Sequence, residues 1–237
     1  LGHWTSIESY DLTGRTIVIT GATSGLGRSA AETLARCGAV VVLWGRDAAK
    51  TERVRQGIAM ATGSDHVDAV VADMGDLAAV RAAAAEVQAR HPVVHVLIHN
   101  AGALTAERHT SPDGTEATVA SQVVGPFLLT SLLLPQLRAA APGRVLTMAS
   151  GGMYATGLTV EHLEMGDDYK GSEQYARAKR AQVTLDELWA QRIDPAEVVF
   201  HAVHPGWADT PGVRESLPTF RRIVGPLLRS PAQGADT

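Results

Sequence analysis

A tyrosine and a lysine four residues apart form the pair in this sequence best suited to chemistry. Tyr175 and Lys179 lie in a stretch with helical periodicity, where a spacing of four places both side chains on one face. A free tyrosine titrates near about 10, and a nearby ammonium favours the tyrosinate, which brings proton exchange with a carbonyl oxygen toward neutral pH. The pair predicts a general acid–base centre, and the alternative is an exposed helical pair without a role.

A glycine-rich turn near the N-terminus is the second candidate site. It follows an apolar run and comprises Thr20, Gly21, Ala22, Thr23, Ser24, Gly25, Leu26 and Gly27. Glycines let the backbone approach a pyrophosphate, whose charge then meets the free N–H groups and the dipole of a helix N-terminus. The spacing Gly-x3-Gly-x-Gly departs from the G-x-G-x-x-G dinucleotide fingerprint. The turn still predicts dinucleotide binding through Gly21 and residues 23–27, and the alternative is a tight turn without a ligand.

The end of the second apolar run bears on the choice of cofactor. In NAD-specific folds an acid usually meets the ribose hydroxyls at this place, whereas an arginine can pair with the 2'-phosphate of NADP. Here the residue is Arg46, and Asp47 follows it. The sequence therefore favours NADP, with NAD the less favoured cofactor and a solvated surface arginine the alternative. Asp47 is either a ribose ligand or the N-cap of the next helix.

The elements that must position these residues alternate regularly along the chain. Short β-branched runs predict six strands, at Arg15 to Thr20, Ala39 to Trp44, Val67 to Ala72, Val94 to Asn100, Arg144 to Ala149 and Val198 to His204. Alanine-rich amphipathic stretches predict helices at Leu26 to Cys37, Ala48 to Ala61, Leu77 to Arg90, Gly114 to Ala140 and Ser172 to Arg192. We predict an α/β fold, a Rossmann-type doubly wound parallel sheet with helices on both faces. Residues 1–237 are expected to form a single dinucleotide-binding and catalytic domain.

Ligands of open α/β sheets bind at the carboxyl ends of the strands, and further candidates lie there. The third strand leads into Asp73 and Met74, and the fourth into Asn100, Ala101 and Gly102. A serine, Ser150, follows the fifth strand. After the Tyr-x3-Lys pair come Pro205, Gly206, Trp207 and Thr210.

In this order the motifs resemble those of the short-chain dehydrogenase/reductase superfamily over essentially the whole chain, in particular its retinol-dehydrogenase-like branch. Residues 150–153 and 204–213 look closest to the dehydrogenase/reductase member-twelve group. The resemblance implies an NADP-dependent oxidoreductase that transfers hydride between NADP(H) and a lipophilic carbonyl or alcohol substrate. The alternative function is a non-catalytic dinucleotide-binding sensor or scaffold of the same fold.

The resemblance also implies a role for each site residue. Tyr175 corresponds to the acid–base, Lys179 to the group that lowers its pKa and grips the nicotinamide ribose, and Ser150 to the group that holds the substrate oxygen. Implied cofactor contacts are Asp73 and Met74 with the adenine, Asn100, Ala101 and Gly102 with the ribose, and Pro205, Gly206, Trp207 and Thr210 with the nicotinamide carboxamide.

The sequence departs from the family pattern at three places. Ser150 precedes Tyr175 by 25 residues, a longer separation than in many members, so the segment Gly151 to Gly171 must loop out. Gln122 stands where many members carry an asparagine that holds a water on the catalytic lysine; its amide has the same chemistry on a longer stem. Family members continue beyond Thr237 into another helix and strand, so we expect part of the domain to be absent or disordered after that residue.

Composition excludes several classes of function. A net charge of -4 with 19% charged residues gives no basic surface for nucleic acid. The only cysteine, Cys37, excludes a disulfide framework and favours a reducing, cytoplasmic location. The longest apolar run, Phe127 to Leu134, is far shorter than the ~20 residues that span a bilayer, so no membrane span is predicted. The 21 basic residues are 18 arginines and three lysines, a bias that indicates a GC-rich bacterial gene.

Histidine pairs and a long apolar helix complete the candidates. His201 and His204 face opposite sides of a strand, and His95 and His99 have no third ligand beside them, so no metal site is predicted. The helix predicted from Gly114 to Ala140 has an apolar face that is core on one side and in family members often joins a dimer interface. Homo-oligomerisation is therefore a hypothesis.

Overall fold

Six parallel strands in one sheet organise the computed structural model, which describes residues 10–216, 222, 225 and 228–236. The strands are β1 (Thr16–Thr20), β2 (Val40–Gly45), β3 (Val67–Val71), β4 (Val96–His99), β5 (Gly143–Met148) and β6 (Val198–Val203). Their order across the sheet is β3-β2-β1-β4-β5-β6. The order reverses between β1 and β4, so the predicted doubly wound Rossmann-type sheet is confirmed.

Alternate residues of the central strands serve two separate cores, one on each face of the sheet. Ile17 and Ile19 of β1 pack with Ala31 of the first helix, whereas Val18 between them packs with Val80 on the opposite face. All five residues of β1 are buried. A strand covered on both faces needs a continuous apolar run, which is why this sequence predicts its position well.

The helices lie on both faces, as predicted. They are α1 (Gly25–Arg36), α2 (Ala48–Thr62), α3 (Leu77–Arg90), α4 (Ala117–Ala140), α5 (Gly171–Ala190), α6 (Pro211–Ser216) and α7 (Pro231–Ala235). The ends of α1, α2, α3 and α5 lie within two residues of their predicted positions. α4 begins three residues later than predicted. Gly114 has a left-handed φ of 83° and cannot belong to the helix. The Glu116 carboxylate then caps the helix by accepting from Thr118 N and Val119 N.

A widened, π-helical turn interrupts α4 at Ala120–Val124. Gly125 N bonds back five residues to the carbonyl of Ala120, and Pro126, which follows, has no N–H to offer the carbonyl of Gln122. Gly125 also lies against the carbonyl of Met74, where a larger residue would not fit. Such turns occur often at functional sites, and this one carries Gln122.

α4 is also the one described helix that is long and apolar enough to cross a membrane by length and composition alone. Its most apolar 18-residue window has a mean hydropathy of 1.6, and 56% of that window is buried inside the domain, as in the core helix of a globular protein. The predicted absence of a membrane span therefore stays a prediction.

Candidate active site

The glycine-rich turn leads from β1 into α1 at a point where backbone segments approach closely. Gly21 has a left-handed φ of 66°, and a Cβ there would lie 2.8 Å from the Cα of Ala101. A Cβ on Gly27 would lie 2.6 Å from the carbonyl oxygen of Gly21 and would also collide with the Asn100 amide. The glycines therefore allow the turn to fold onto the end of β4, as well as to approach a ligand.

Asn100 fastens this turn to the end of β4. Its Nδ2 donates to the carbonyls of Thr20 at 2.9 Å and Gly21 at 3.2 Å. The Thr20 hydroxyl in turn accepts from the N–H groups of Asn100 and Ala101, both at 3.0 Å. The side chain of Asn100 is thus engaged in shaping the turn, which leaves Ala101 and Gly102 as the neighbouring surface for a ligand.

The N-terminus of α1 offers donors suited to a pyrophosphate. Ser24 caps the helix without a side-chain hydrogen bond, and the first bond along the helix is from Arg28 N to Ser24 O at 3.2 Å. The preceding N–H groups, including those of Leu26 and Gly27, have no intrahelical acceptor by helix geometry. With the helix dipole they form an anion site, so the predicted fit of a dinucleotide is supported by the donor set.

Pro205, Gly206, Trp207 and Thr210 cross the sheet edge toward the same turn. The methyl and Cβ atoms of Thr210 lie 3.4 Å from the position of a Cβ on Gly25. Gly206 has a φ of 71°, and its N–H donates to His204 Nδ1 at 2.9 Å. Trp207 is 52% exposed. The structure therefore brings Thr210 of this segment beside the start of α1, and its contact with a nicotinamide stays a prediction.

We expect Gly27→Ala to destabilise the protein by about 1–3 kcal/mol, a usual cost of overpacking, because the added methyl collides with Asn100 and Gly21. Thermal melting measures the effect. Gly57→Ala is the matched control, since Gly57 lies inside α2 with nothing within 4 Å of an added Cβ and should gain about 0.5–1 kcal/mol. Equal melting changes for the two variants would contradict the close packing of the turn.

At the other end of this edge, the three residues predicted to meet the adenosine half differ in accessibility. Arg46 is exposed just after β2 and makes no hydrogen bond or ion pair within the described part of the chain. Asp73 is exposed, and its Oδ1 accepts from Gly75 N at 2.8 Å. The Met74 side chain is buried in the core. The prediction that Met74 contacts an adenine therefore applies to its main-chain atoms. Asp47 caps α2 by accepting from Lys50 N at 2.7 Å, the N-cap role of its two predicted roles.

The side chains of Ser150 and Tyr175 lie close together despite their separation in sequence, near enough for the serine hydroxyl to lower the pKa of the phenol. Ser150 also accepts from Gly152 N at 3.2 Å and so begins a short 3₁₀ helix, Gly151–Ala155. The segment from there to α5 loops out, as predicted. This geometry places the serine hydroxyl and the tyrosine phenol where both can contact one substrate oxygen.

Lys179 lies beneath Tyr175 and is 2% exposed. Its Nζ is 5.5 Å from the centroid of the Tyr175 ring and donates to Met148 O at 2.8 Å and to Gln182 Oε1 at 2.9 Å. Burial lowers the pKa of Lys179 to about 8. The ammonium therefore faces the ring and two oxygens of the protein interior.

The expected lowering of the tyrosine pKa by Lys179 is not found in this geometry. Burial raises the pKa of Tyr175, and the nearby Ser150 hydroxyl acts weakly in the opposite direction. The reason is placement: the ammonium lies over the ring face and bonds to Met148 and Gln182. The phenol accordingly stays protonated at neutral pH.

Gln122 joins this group from the π-helical turn of α4. It is 1% exposed, and its Nε2 donates to the carbonyl of Ala103 at 2.7 Å. A Cβ on Gly102 would lie 2.9 Å from Gln122 Oε1 and 3.5 Å from Lys179 Nζ, so the three residues meet at one point. Gln122 Oε1 has no hydrogen-bond partner in the described residues. Gln122 Oε1, near the Lys179 ammonium, is therefore suited to accept from a water bound to that ammonium. Holding such a water is the role inferred for the asparagine that many family members carry at this position.

Sequence reasoning missed a set of side chains that fasten the looped-out segment to the catalytic helix. Gln174, directly before Tyr175, is fully buried; its Oε1 accepts from Met165 N at 2.7 Å and its Nε2 donates to Leu163 O at 2.9 Å. Tyr169, on the looped-out segment, has its hydroxyl 2.8 Å from Thr105 Oγ1. A polar residue on the apolar face of a predicted helix was the available signal for Gln174.

Comparison with known proteins agrees with this arrangement. The sequence profile of the family described as short chain dehydrogenase matches residues 15–219. The chain is 39% identical over 225 residues to "Dehydrogenase/reductase SDR family member 12" of Homo sapiens, a match that covers 94% of this chain and 70% of that protein. It is 33% identical over 234 residues to "Retinol dehydrogenase 11" of Homo sapiens, covering 97% of this chain and 73% of that protein.

Solved structures include a similar fold with a cofactor. The putative NAD(P)-dependent gluconate 5-dehydrogenase from Beutenbergia cavernae, with NADP bound at low occupancy, superposes with a TM-score of 0.75 at 27% identity, covering 94% of this chain and 86% of that one. The similarity extends over the sheet and the helices that carry the candidate site.

Proposed function

The chain belongs to the short-chain dehydrogenase family, near dehydrogenase/reductase member 12 in its retinol-dehydrogenase-like branch, and from this premise we propose that it transfers hydride between NADP(H) and a lipophilic carbonyl or alcohol. The observation that carries the proposal is that Tyr175, with Ser150 beside it and Lys179 5.5 Å beneath its ring, lies at the sheet edge that also presents the glycine-rich turn.

Residues on both sides of the turn would hold a dinucleotide. The amides at the start of α1 would bind the pyrophosphate, Ala101 and Gly102 would line a ribose, and the segment from Pro205 to Thr210 would contact the nicotinamide. The bound cofactor supplies or accepts the hydride. The protein supplies orientation and the proton.

Tyr175 is the proton donor in the direction of carbonyl reduction. Because burial raises the pKa of Tyr175, the phenol is protonated at neutral pH and can pass its proton to the substrate oxygen as negative charge develops there. Ser150, beside the phenol, offers a second hydroxyl to the same oxygen. Lys179 presents a buried ammonium beneath the Tyr175 ring, where it would contact the nicotinamide ribose of a bound cofactor.

The choice of NADP is supported by Arg46 and by one relative. The exposed guanidinium follows β2 and is available for a 2'-phosphate, while Asp47 is used as a helix cap. The similar protein from Beutenbergia cavernae has NADP bound.

A lipophilic substrate is supported by exposed apolar side chains on the segments that flank the site. Tyr154 and Val160 on the looped-out segment are 80% and 84% exposed, and Trp207 is 52% exposed. The relative Retinol dehydrogenase 11 is named for a lipophilic alcohol. Part of the lobe expected after Thr210 lies outside the described residues.

A screen of purified protein tests the proposed function. NADPH is supplied with a panel of aldehydes, ketones and quinones of increasing apolar chain length, and oxidation is followed by absorbance. We expect turnover that rises with the length of the apolar chain. Nucleotide binding without turnover of any carbonyl would favour the sensor or scaffold.

Two further predictions remain proposals. A reducing, cytoplasmic location is supported by the sequence, whose single cysteine, Cys37, leaves no disulfide framework. Homo-oligomerisation is supported by Phe127 of α4 and Leu188 of α5, which are 45% and 37% exposed.

A further inference from the structure

Polar side chains continue past the catalytic pair along the buried face of α5. Tyr175, Lys179, Gln182 and Asp186 follow one another at spacings of four, three and four residues, which keeps them on one face of the helix. Gln182 and Asp186 are 3% and 9% exposed. A buried helix face is ordinarily apolar, so this polar stripe calls for a specific reason.

Gln182 contacts Lys179 through one end of its amide only. Its Oε1 accepts from Lys179 Nζ at 2.9 Å, whereas its Nε2 is buried and has no hydrogen-bond partner in the described part of the chain. If the amide were turned over, its N–H₂ group would face the ammonium, and the hydrogen bond would be lost. A further contact must therefore favour the orientation in which Gln182 Oε1 faces Lys179 Nζ.

A cavity of about 20 Å³ lies between α4, α5 and the ends of β4 and β5. Its polar lining comprises His99, Thr130, Thr147, Gln182 and Asp186. Three buried atoms of that lining are unpartnered in the described structure, namely His99 Nδ1, Gln182 Nε2 and Asp186 Oδ2. A cavity needs about 10–15 Å³ and two to four polar partners to hold a water, so both conditions are met here.

A single water has the donors and the acceptor that these three atoms require. His99 Nε2 lies 2.8 Å from Thr130 Oγ1, and burial lowers the pKa of His99 to about 3, so the ring is neutral and its Nδ1 can accept. Asp186 Oδ1 accepts from the Thr147 hydroxyl at 3.0 Å, and burial raises the pKa of Asp186 to about 7, so Oδ2 is an acceptor above that pH, in the range in which Lys179 titrates. The water accepts from Gln182 Nε2 and donates to His99 Nδ1 and Asp186 Oδ2, which makes three hydrogen bonds.

We propose that Gln182 is a positioning residue for Lys179, and that a water bound by His99, Gln182 and Asp186 fixes its amide with the oxygen toward the ammonium. The consequence for catalysis rests on the proposed function, because it requires Lys179 to act beside Tyr175. The hydrogen-bond chain itself is a property of the cofactor-free protein.

The hydrogen bonds through Gln182 control the charge of Lys179. The ionisable groups near Lys179 are Tyr175 on its own helix and His99 on β4, while Gln122 of α4 and the Met148 carbonyl of β5 are neutral; Asp186 lies two turns along α5 and lines the cavity with Thr130 and Thr147. An acceptor at Gln182 stabilises the ammonium, so removal of that acceptor lowers the pKa of Lys179 and a carboxylate in its place raises it.

Nuclear magnetic resonance of cofactor-free protein labelled with ¹³C-lysine measures this pKa directly. The chain has only three lysines, and Lys50→Arg and Lys170→Arg identify the Lys179 signal by elimination. We expect Gln182→Leu to lower the pKa of Lys179 and Gln182→Glu to raise it, each by about one pH unit or more. Asp186→Leu, which fills the cavity and releases the amide, should shift it in the same direction as Gln182→Leu. If Gln182→Leu does not fold, Gln182→Asn, with its shorter stem, should also lower the pKa.

Gln88→Leu is the matched control, since Gln88 Nε2 donates to a backbone carbonyl, Leu132 O at 2.7 Å, far from this site on α3. It should leave the Lys179 titration unchanged. Shifts of the same sign for Gln182→Leu and Gln182→Glu, or no shift for either, overturn the assignment. An unshifted Asp186→Leu overturns the water. Opposite shifts in a protein that reduces no carbonyl would uphold the positioning role while rejecting the proposed function.

Discussion

Replacement of Tyr175 by phenylalanine is expected to lower kcat for carbonyl reduction by at least about 100-fold, a usual contribution of general acid catalysis. The phenol hydroxyl lies beside Ser150 and can reach a substrate oxygen, and phenylalanine removes it while keeping the ring beneath which Lys179 lies. The Kd of NADPH should hardly change. Steady-state kinetics with the best carbonyl from the screen and titration of protein fluorescence with NADPH measure the two quantities.

Tyr154→Phe is the control for this prediction. Tyr154 is 80% exposed, so loss of its hydroxyl should leave kcat within about twofold of the original value. An unchanged kcat in Tyr175→Phe would remove this residue from the acid–base role. A parallel loss of NADPH affinity would instead assign the residue to cofactor binding.

The sheet and most helices were predictable because their signals are local. β1 and β2 are continuous apolar runs since both faces are covered, and α3 begins after Asp76, whose side chain caps it by accepting from Ala79 N. The start of α4 was placed too early because the decisive facts are backbone ones, a left-handed Gly114 and a cap from Glu116. Its π-helical turn depends on Gly125 packing against the carbonyl of Met74, a contact 51 residues apart that no local pattern shows.

The site was predictable where a motif names a residue and less so where tertiary contacts decide its environment. The glycine turn, Ser150 and the Tyr-x3-Lys pair are brought to one edge of the sheet. The pKa of Tyr175 was expected to fall through proximity to Lys179, but burial has the larger effect in the structure. Burial depends on chain segments far apart in sequence, such as the looped-out segment fastened by Gln174.

The polar stripe on α5 shows a further limit of sequence reasoning. Gln182 and Asp186 lie at helical spacing from Lys179, but the same spacing would fit a solvated face. Only the sheet packed against that face, with His99 at the end of β4, shows that the stripe is interior. Once it is interior, unpaired polar atoms become costly, and the need for a partner follows.

Arg46→Ala is expected to weaken NADPH binding by roughly 10- to 100-fold. Hydrogen bonds to charged groups contribute about 1.5–3 kcal/mol, and each ~1.4 kcal/mol is tenfold in affinity. NADH lacks the 2'-phosphate, so its Kd should change little. The guanidinium is exposed at the end of β2, so the substitution disturbs no packing. Titration of protein fluorescence with each nucleotide at fixed salt measures the four dissociation constants.

Arg46→Asp should invert the preference, because a carboxylate repels the phosphate and can accept hydrogen bonds from both ribose hydroxyls of NADH. Asp47 already uses its Oδ1 to cap α2 by accepting from Lys50 N. Arg53→Ala is the matched control, an exposed arginine of α2 whose loss should affect neither nucleotide. Thermal melting of each variant checks the fold. Equal losses for NADPH and NADH in Arg46→Ala would make Arg46 a structural residue, and an original protein that binds NADH more tightly would overturn the assignment of NADP.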